Sequence, residues 1–77
     1  MDVELRLFAS LRQYLPPGPG PNLLQLEPGC TVAQLLQAQG VPLDAPRVFF
    51  VNGRHVELDH PLQDGDVLSV FPPVAGG

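Results

Sequence analysis

The chain closes on Phe71-Pro72-Pro73-Val74-Ala75-Gly76-Gly77, and the one reactive group in that stretch is the terminal carboxyl of Gly77. An α-carboxyl has a pKa of ~3.3–3.7, so at neutral pH it is a resonance-stabilised anion and a poor electrophile. It becomes a carrier only after activation, for example as an acyl-adenylate. Glycine leaves such an adenylate open to approach from either face. Pro72 and Pro73 remove backbone donors and so end a strand ladder. Fully extended, the stretch after Phe71 reaches at most ~20–22 Å. A tail that thin, with no side chain on its last two residues, can thread a narrow channel into another protein's active site. A frayed terminus is the alternative.

Other side chains offer less chemistry. Cys30 stands just before a helix start, where the dipole could lower its thiol pKa. A catalytic thiol needs a base, however, and no histidine is close in sequence, so packing is the simpler role. Glu57, Asp59, His60, Asp64 and Asp66 form an acidic cluster, but the spacing does not fit a calcium loop. Asp64-Gly65-Asp66 reads as turn chemistry, and no metal site is expected. His55 falls on a hairpin strand facing solvent. All four basic residues are arginines, Arg6, Arg12, Arg47 and Arg54. Without lysine, Schiff-base chemistry is excluded, and so is lysine modification of this chain.

These residues must be positioned by one small domain, since 77 residues fall short of the ~100–150 typical of natural domains. The apolar fraction of 44% is that of an ordinary globular chain. A net charge of −4 with no basic stretch disfavours phosphate-driven nucleic-acid binding. A single cysteine forms no internal disulfide, which argues against a secreted mini-scaffold. Asp2, Glu4 and Arg6 interrupt the first apolar residues, so no signal peptide is read. No apolar run approaches the ~18–20 residues of a membrane span. The expectation is a soluble cytoplasmic protein.

Val3 to Leu7 alternates apolar and charged residues, the pattern of a half-buried strand. Val3, Leu5, Leu7 and Ala9 should face the core, with Glu4, Arg6 and Phe8 outward. Ser10 to Leu15 could form a short helix stopped by Pro16. Pro16 to Pro21 is a connector, too short and glycine-punctured for a stable polyproline ligand. Asn22 to Glu27 is extended, with Leu24 and Leu26 on one face and Leu23 on the other. Thr31 to Gln34 reads as a capping box opening a helix of eight or nine residues. Val32, Leu35 and Leu36 form its buried stripe, and Gly40 supplies a left-handed end. Arg47 to Val51 and Arg54 to Glu57 form a hairpin about Asn52-Gly53. Val67 to Phe71 is the last strand, and if it lies parallel to the first, the helix belongs to the crossover between them. One helix across one mixed sheet of about five strands is an α+β roll. With Leu68 and Val70 inward, Val67, Ser69 and Phe71 point out beside Phe8, an exposed grouping suited to docking. Alternatively the Ser10–Leu15 segment covers Phe8.

The stretch His60 to Asp66, followed by the terminal block Phe71 to Gly77, resembles the MoaD/ThiS family of ubiquitin-like sulfur carriers. The terminal block is most similar to its molybdopterin synthase branch. Phe8-Ala9 with Leu11-Arg12, and Gly29 to Leu36 opening the helix, are similar too. The resemblance covers essentially the whole chain and implies a β-grasp domain over residues 1–71 followed by a flexible tail, 72–77.

It also implies a mechanism. An adenylyltransferase of the ubiquitin-activating type (MoeB/ThiF-like) would use ATP and magnesium to adenylate Gly77. A sulfurtransferase would then convert it to a thiocarboxylate. A molybdopterin synthase large subunit (MoaE-like) would accept the tail, Pro72, Pro73, Val74, Ala75 and Gly76 threading so that Gly77 passes sulfur to the pterin precursor. The carrier would bind no cofactor itself and supply no catalytic side chain. Phe8, Phe71 and, more weakly, Arg12 carry over as partner-interface residues. Thiamine synthesis, tRNA thiolation or protein modification are the alternative destinations of the same chemistry. The Pro16–Pro21 insert departs from the family pattern and could alter partner choice.

Overall fold

The computed structural model describes residues 1–16, 18, 20–46 and 48–73. Asp2–Leu7 forms β1, burying Val3, Leu5 and Leu7 on one face. Asn22–Gln25 forms β2, antiparallel to β1 with Val3 opposite Leu24. The pairing extends one step further: Leu26 donates its N–H to the Met1 carbonyl, and the Met1 ammonium donates to the Leu26 carbonyl, both at 2.8 Å. Val32–Ala38 forms the helix α1. Val48–Val51 (β3), Arg54–Val56 (β4) and Val67–Phe71 (β5) complete a sheet ordered β2-β1-β5-β3-β4. β5 runs parallel to β1 and antiparallel to β3. Parallel neighbours need a long crossover, and α1 lies within that connection.

α1 is short because its ends are strongly marked. The Thr31 side chain accepts from Gln34 N–H at 3.2 Å, and the Gln34 side chain accepts from Thr31 N–H at 2.9 Å. At the other end Gly40 adopts φ 76, which lets Val41 N–H return to the Leu36 carbonyl at 2.9 Å. The helix therefore has seven residues rather than eight or nine. Its stripe Val32, Leu35 and Leu36 is fully buried against Val3, Leu5, Leu68 and Val70. Each such side chain contributes about 1.5–3 kcal/mol over exposure. Leu62 closes the core below the helix start, donating its N–H to the Cys30 carbonyl at 2.8 Å.

The hairpin turns as expected, with Asn52 at φ 52 and Gly53 at φ 82, the left-handed pair of a tight two-residue turn. The edge strands are shorter than the sequence suggested: β2 stops at Gln25, and β4 stops at Val56. Arg47, expected to start β3, lies outside the described residues.

One core assignment is corrected. Ala9 is exposed and adopts φ 53, because β1 ends at Leu7 and the chain turns sharply into a 3-10 helix, Ala9–Tyr14. That turn breaks the strand alternation and swings Leu11 into the core instead, with Tyr14 and Leu15 half-buried beside it.

Candidate docking face and tail

α1 covers one face of the sheet, and the other carries the outward side chains of every strand. The register sets Phe50 of β3 opposite Ser69 of β5, which in turn lies opposite Arg6 of β1. Val48 lies opposite Phe71 in the same way. Phe8 N–H donates to the Val70 carbonyl at 3.1 Å, prolonging the parallel ladder past Leu7. That bond holds the Phe8 ring against Phe71, stacked with centroids 4.4 Å apart and planes 8° from parallel. Phe50 meets Phe71 edge-on at 5.8 Å and 85°, and His55 meets Phe50 at 5.8 Å and 71°. The result is a run of aromatic rings across three strands, continued by His55 on β4.

Phe8 and Phe71 therefore share the outer face, as their alternation predicts. Phe8 retains 37% exposure, so the Ser10–Leu15 segment does not cover it. Arg12 stands exposed in the last turn of the 3-10 helix. It borders a groove of about 790 Å³ shared with Arg6, Phe8 and Leu15. Arg6 is paired with Glu4 on the same strand. Phe50 and His55 were not singled out from the sequence as part of this surface. The Asn52-Gly53 turn held the signal, because its two-residue loop sets Phe50 opposite His55.

The tail leaves from the end of β5, the central strand, directly after the stacked pair. Pro72 is half-buried and Pro73 exposed. The threading residues Val74, Ala75 and Gly76, and the reactive Gly77, lie outside the described residues.

The remaining candidates resolve into structure. Cys30 is half-buried, its Sγ donating to the Thr31 carbonyl at 3.6 Å. Burial pushes its thiol pKa up from the ordinary 9.0, against the lowering a helix dipole could give. Asp66 accepts from Asn52 Nδ2 at 2.9 Å and from Gln63 N–H at 2.8 Å, and Asp64 accepts from Asp2 N–H at 2.7 Å. These carboxylates cap turns and strand ends. Among the described residues, no group of three or more His, Cys, Asp or Glu is placed to hold a metal ion. Nor is any helix among them long and apolar enough to cross a membrane.

A family model described as the ThiS family matches residues 5–77. The chain belongs to that family, the ubiquitin-like sulfur carriers. Small archaeal modifier protein 3 of Haloferax volcanii is 35% identical over the full length of both chains. A molybdopterin synthase sulfur carrier subunit of Escherichia coli K12 is 59% identical over 27 residues, 35% of this chain and 33% of that one. Among solved structures, the Haloferax volcanii HVO 2177 protein superposes with a TM-score of 0.77 at 33% identity, covering 100% of this chain and 87% of that one. Subunit 1 or 2 in a complex of the two subunits of the Helicobacter pylori molybdopterin-converting factor gives 0.64 at 26% identity, with full coverage of both chains. A Caldiarchaeum subterraneum ubiquitin, 20% identical with a TM-score of 0.59, shares the fold. The one-helix, five-stranded roll is thus a β-grasp, ubiquitin-like domain.

Proposed function

We propose that this sulfur carrier serves molybdenum-cofactor biosynthesis, with the carboxyl of Gly77 as its working group. The observation that carries the reading is the sequence of surfaces along β5. Its aromatic end, Phe71 stacked on Phe8, leads directly into a tail with no ionisable side chain. Such a surface can grip a partner while the tail enters that partner's active site. Phe8 and Phe71 are the anchors in this scheme and Arg12 flanks them. Pro72 to Gly76 form the thread.

The chemistry proceeds in two stages. A carboxylate oxygen of Gly77 attacks the α-phosphorus of ATP on a ubiquitin-activating-type adenylyltransferase, and pyrophosphate leaves with magnesium stabilising its charge. A sulfurtransferase persulfide then attacks the acyl carbon, AMP departs with the bonding electron pair, and a thiol reductant cleaves the S–S bond to leave the thiocarboxylate. The large synthase subunit accepts this tail and passes its sulfur to the pterin precursor. Every acid, base and metal belongs to those partners. Support for the large-subunit partner comes from the two-subunit complex among the structural neighbours and from the partial match to a molybdopterin synthase carrier.

The full-length match to a protein named as a modifier favours a second reading, in which activated Gly77 forms isopeptide bonds with other proteins. Incubation with the activating enzyme, ATP and a sulfide source separates the two. A thiocarboxylate is heavier than the carboxylate by the difference between sulfur and oxygen. That gain in intact mass, together with copurification of a pterin-binding subunit, is the expected result. An unchanged mass, or the same gain in a chain lacking Gly77, overturns the proposal.

A further inference from the structure

Any route through an activated Gly77 exposes the carrier to its own nucleophiles. An amine on one copy can attack the acyl carbon of another. The amine nitrogen then bonds to that carbon, the leaving group departs with its electron pair, and the amine proton goes to solvent. The product is an amide-linked dimer, from which sulfur can no longer be delivered.

We propose that this chain is an acyl donor that is not an acyl acceptor, so that it neither self-conjugates nor builds chains on itself. Three independent features support this. The 77 residues contain no lysine, and their basic side chains are all arginines. Guanidinium stays protonated and offers no free nitrogen lone pair.

The α-amino group of Met1 is the remaining primary amine. It is partly buried and donates to the Leu26 carbonyl at 2.8 Å, while the Met1 carbonyl accepts from Leu26 N–H at 2.8 Å. This two-way bond pins Met1 to the end of the β1–β2 ladder. To attack, the amine must shed a proton, break that bond and admit a second chain's tail beside β2.

The Cys30 thiol, the third nucleophile, is half-buried and donates to the Thr31 carbonyl. Its burial disfavours the thiolate that would attack. His55 and His60 would give acyl-imidazoles, which water hydrolyses back to the free carboxylate, so they leave no lasting link.

The inference rests on the acyl chemistry proposed for Gly77, but its test needs none of the enzymes. The full chain is prepared as a Gly77 thioester by intein thiolysis and incubated alone at mildly alkaline pH. A parallel sample receives Nα-acetyl-lysine. Variants Gln37→Lys and Arg54→Lys place an amine at exposed sites on α1 and β4. The expected result is hydrolysis without covalent dimer for the natural sequence, capture by the added amine, and amide-linked dimers in both lysine variants. Dimer formation by the natural chain at the rate of the lysine variants overturns the inference. So does the failure of both variants to dimerise faster than the natural chain. Failure of sulfur loading by the activating enzyme would count against the proposed function and leave this result standing.

Discussion

Asn52 Nδ2 donates to Asp66 Oδ1 at 2.9 Å, while Asn52 Oδ1 accepts from Val67 N–H at 2.9 Å. The side chain of the hairpin turn thus ties down the turn that launches β5. Asp66 is the one buried charged residue among those described, and its second oxygen holds Gln63 N–H. Asp66→Ala strips both donors of their partner. Both donors belong to exposed residues that water can reach, so each lost bond should cost about 0.5–1.5 kcal/mol. Urea denaturation should show a lowered midpoint with an unchanged slope. A midpoint equal to that of the natural chain would mean the bond does not secure β5.

The stack of Phe8 on Phe71 has a structural role and a proposed docking role, and mutation can separate them. Aromatic pairs of this kind contribute about 0.5–1.5 kcal/mol beyond their burial. A double-mutant cycle of Phe8→Ala and Phe71→Ala, read by thermal unfolding, should return a coupling in that range. In the docking role proposed for it, Phe71 should carry more. Phe71→Ala should weaken the complex with the large subunit by about 2 kcal/mol, the size expected of a central aromatic contact. Calorimetric titration showing unaltered affinity would remove Phe71 from the interface.

Much of this arrangement was legible because it depends on local rules. Thr31 and Gln34 mark the helix start, Asn52-Gly53 the hairpin, and the alternation of Val67 to Phe71 the outward ring of Phe71. What escaped was set by backbone geometry after a strand ends. Ala9 continues the alternation of β1 on paper, yet φ 53 at that residue rotates the chain and gives its core place to Leu11. The Phe50 and His55 extension of the aromatic face depends on register, which the turn type fixes and composition does not. The elevation of the Cys30 pKa was hidden for a similar reason. A cysteine ahead of a helix suggests stabilised thiolate, but packing decides the sign.

Cys30 gives a pH dependence with a definite direction. Burial raises its folded-state pKa above the ordinary 9.0, so the native state holds the thiol proton more tightly than the unfolded chain does. Its contribution to stability is therefore fully present below about 9.0 and is lost as pH climbs through the folded-state value. Iodoacetamide alkylation of the native protein should follow a pH profile displaced to the alkaline side of that measured in urea. Cys30→Ala should flatten the alkaline fall in stability. Coincident alkylation profiles would show that burial does not control the thiol.

Removal of Gly77 tests where the chemistry resides. The folded domain draws its stability from the core under α1 and from the ladder ending at Phe71. The last residues of most domains contribute little to stability. The shortened chain should unfold at the same temperature as the natural one and still bind the large subunit through Phe8 and Phe71. Its carboxyl would now belong to Gly76, a shortening of the proposed thread by about 3.3–3.6 Å. That displacement is large against the tolerance of a positioned reaction, in which a 1 Å misplacement can cost about 10²-fold. Adenylation, followed as pyrophosphate release, should therefore fall by at least that factor while affinity for the partner holds. Full-rate adenylation of the shortened chain would show that the activating site does not measure the tail from the docked aromatic face.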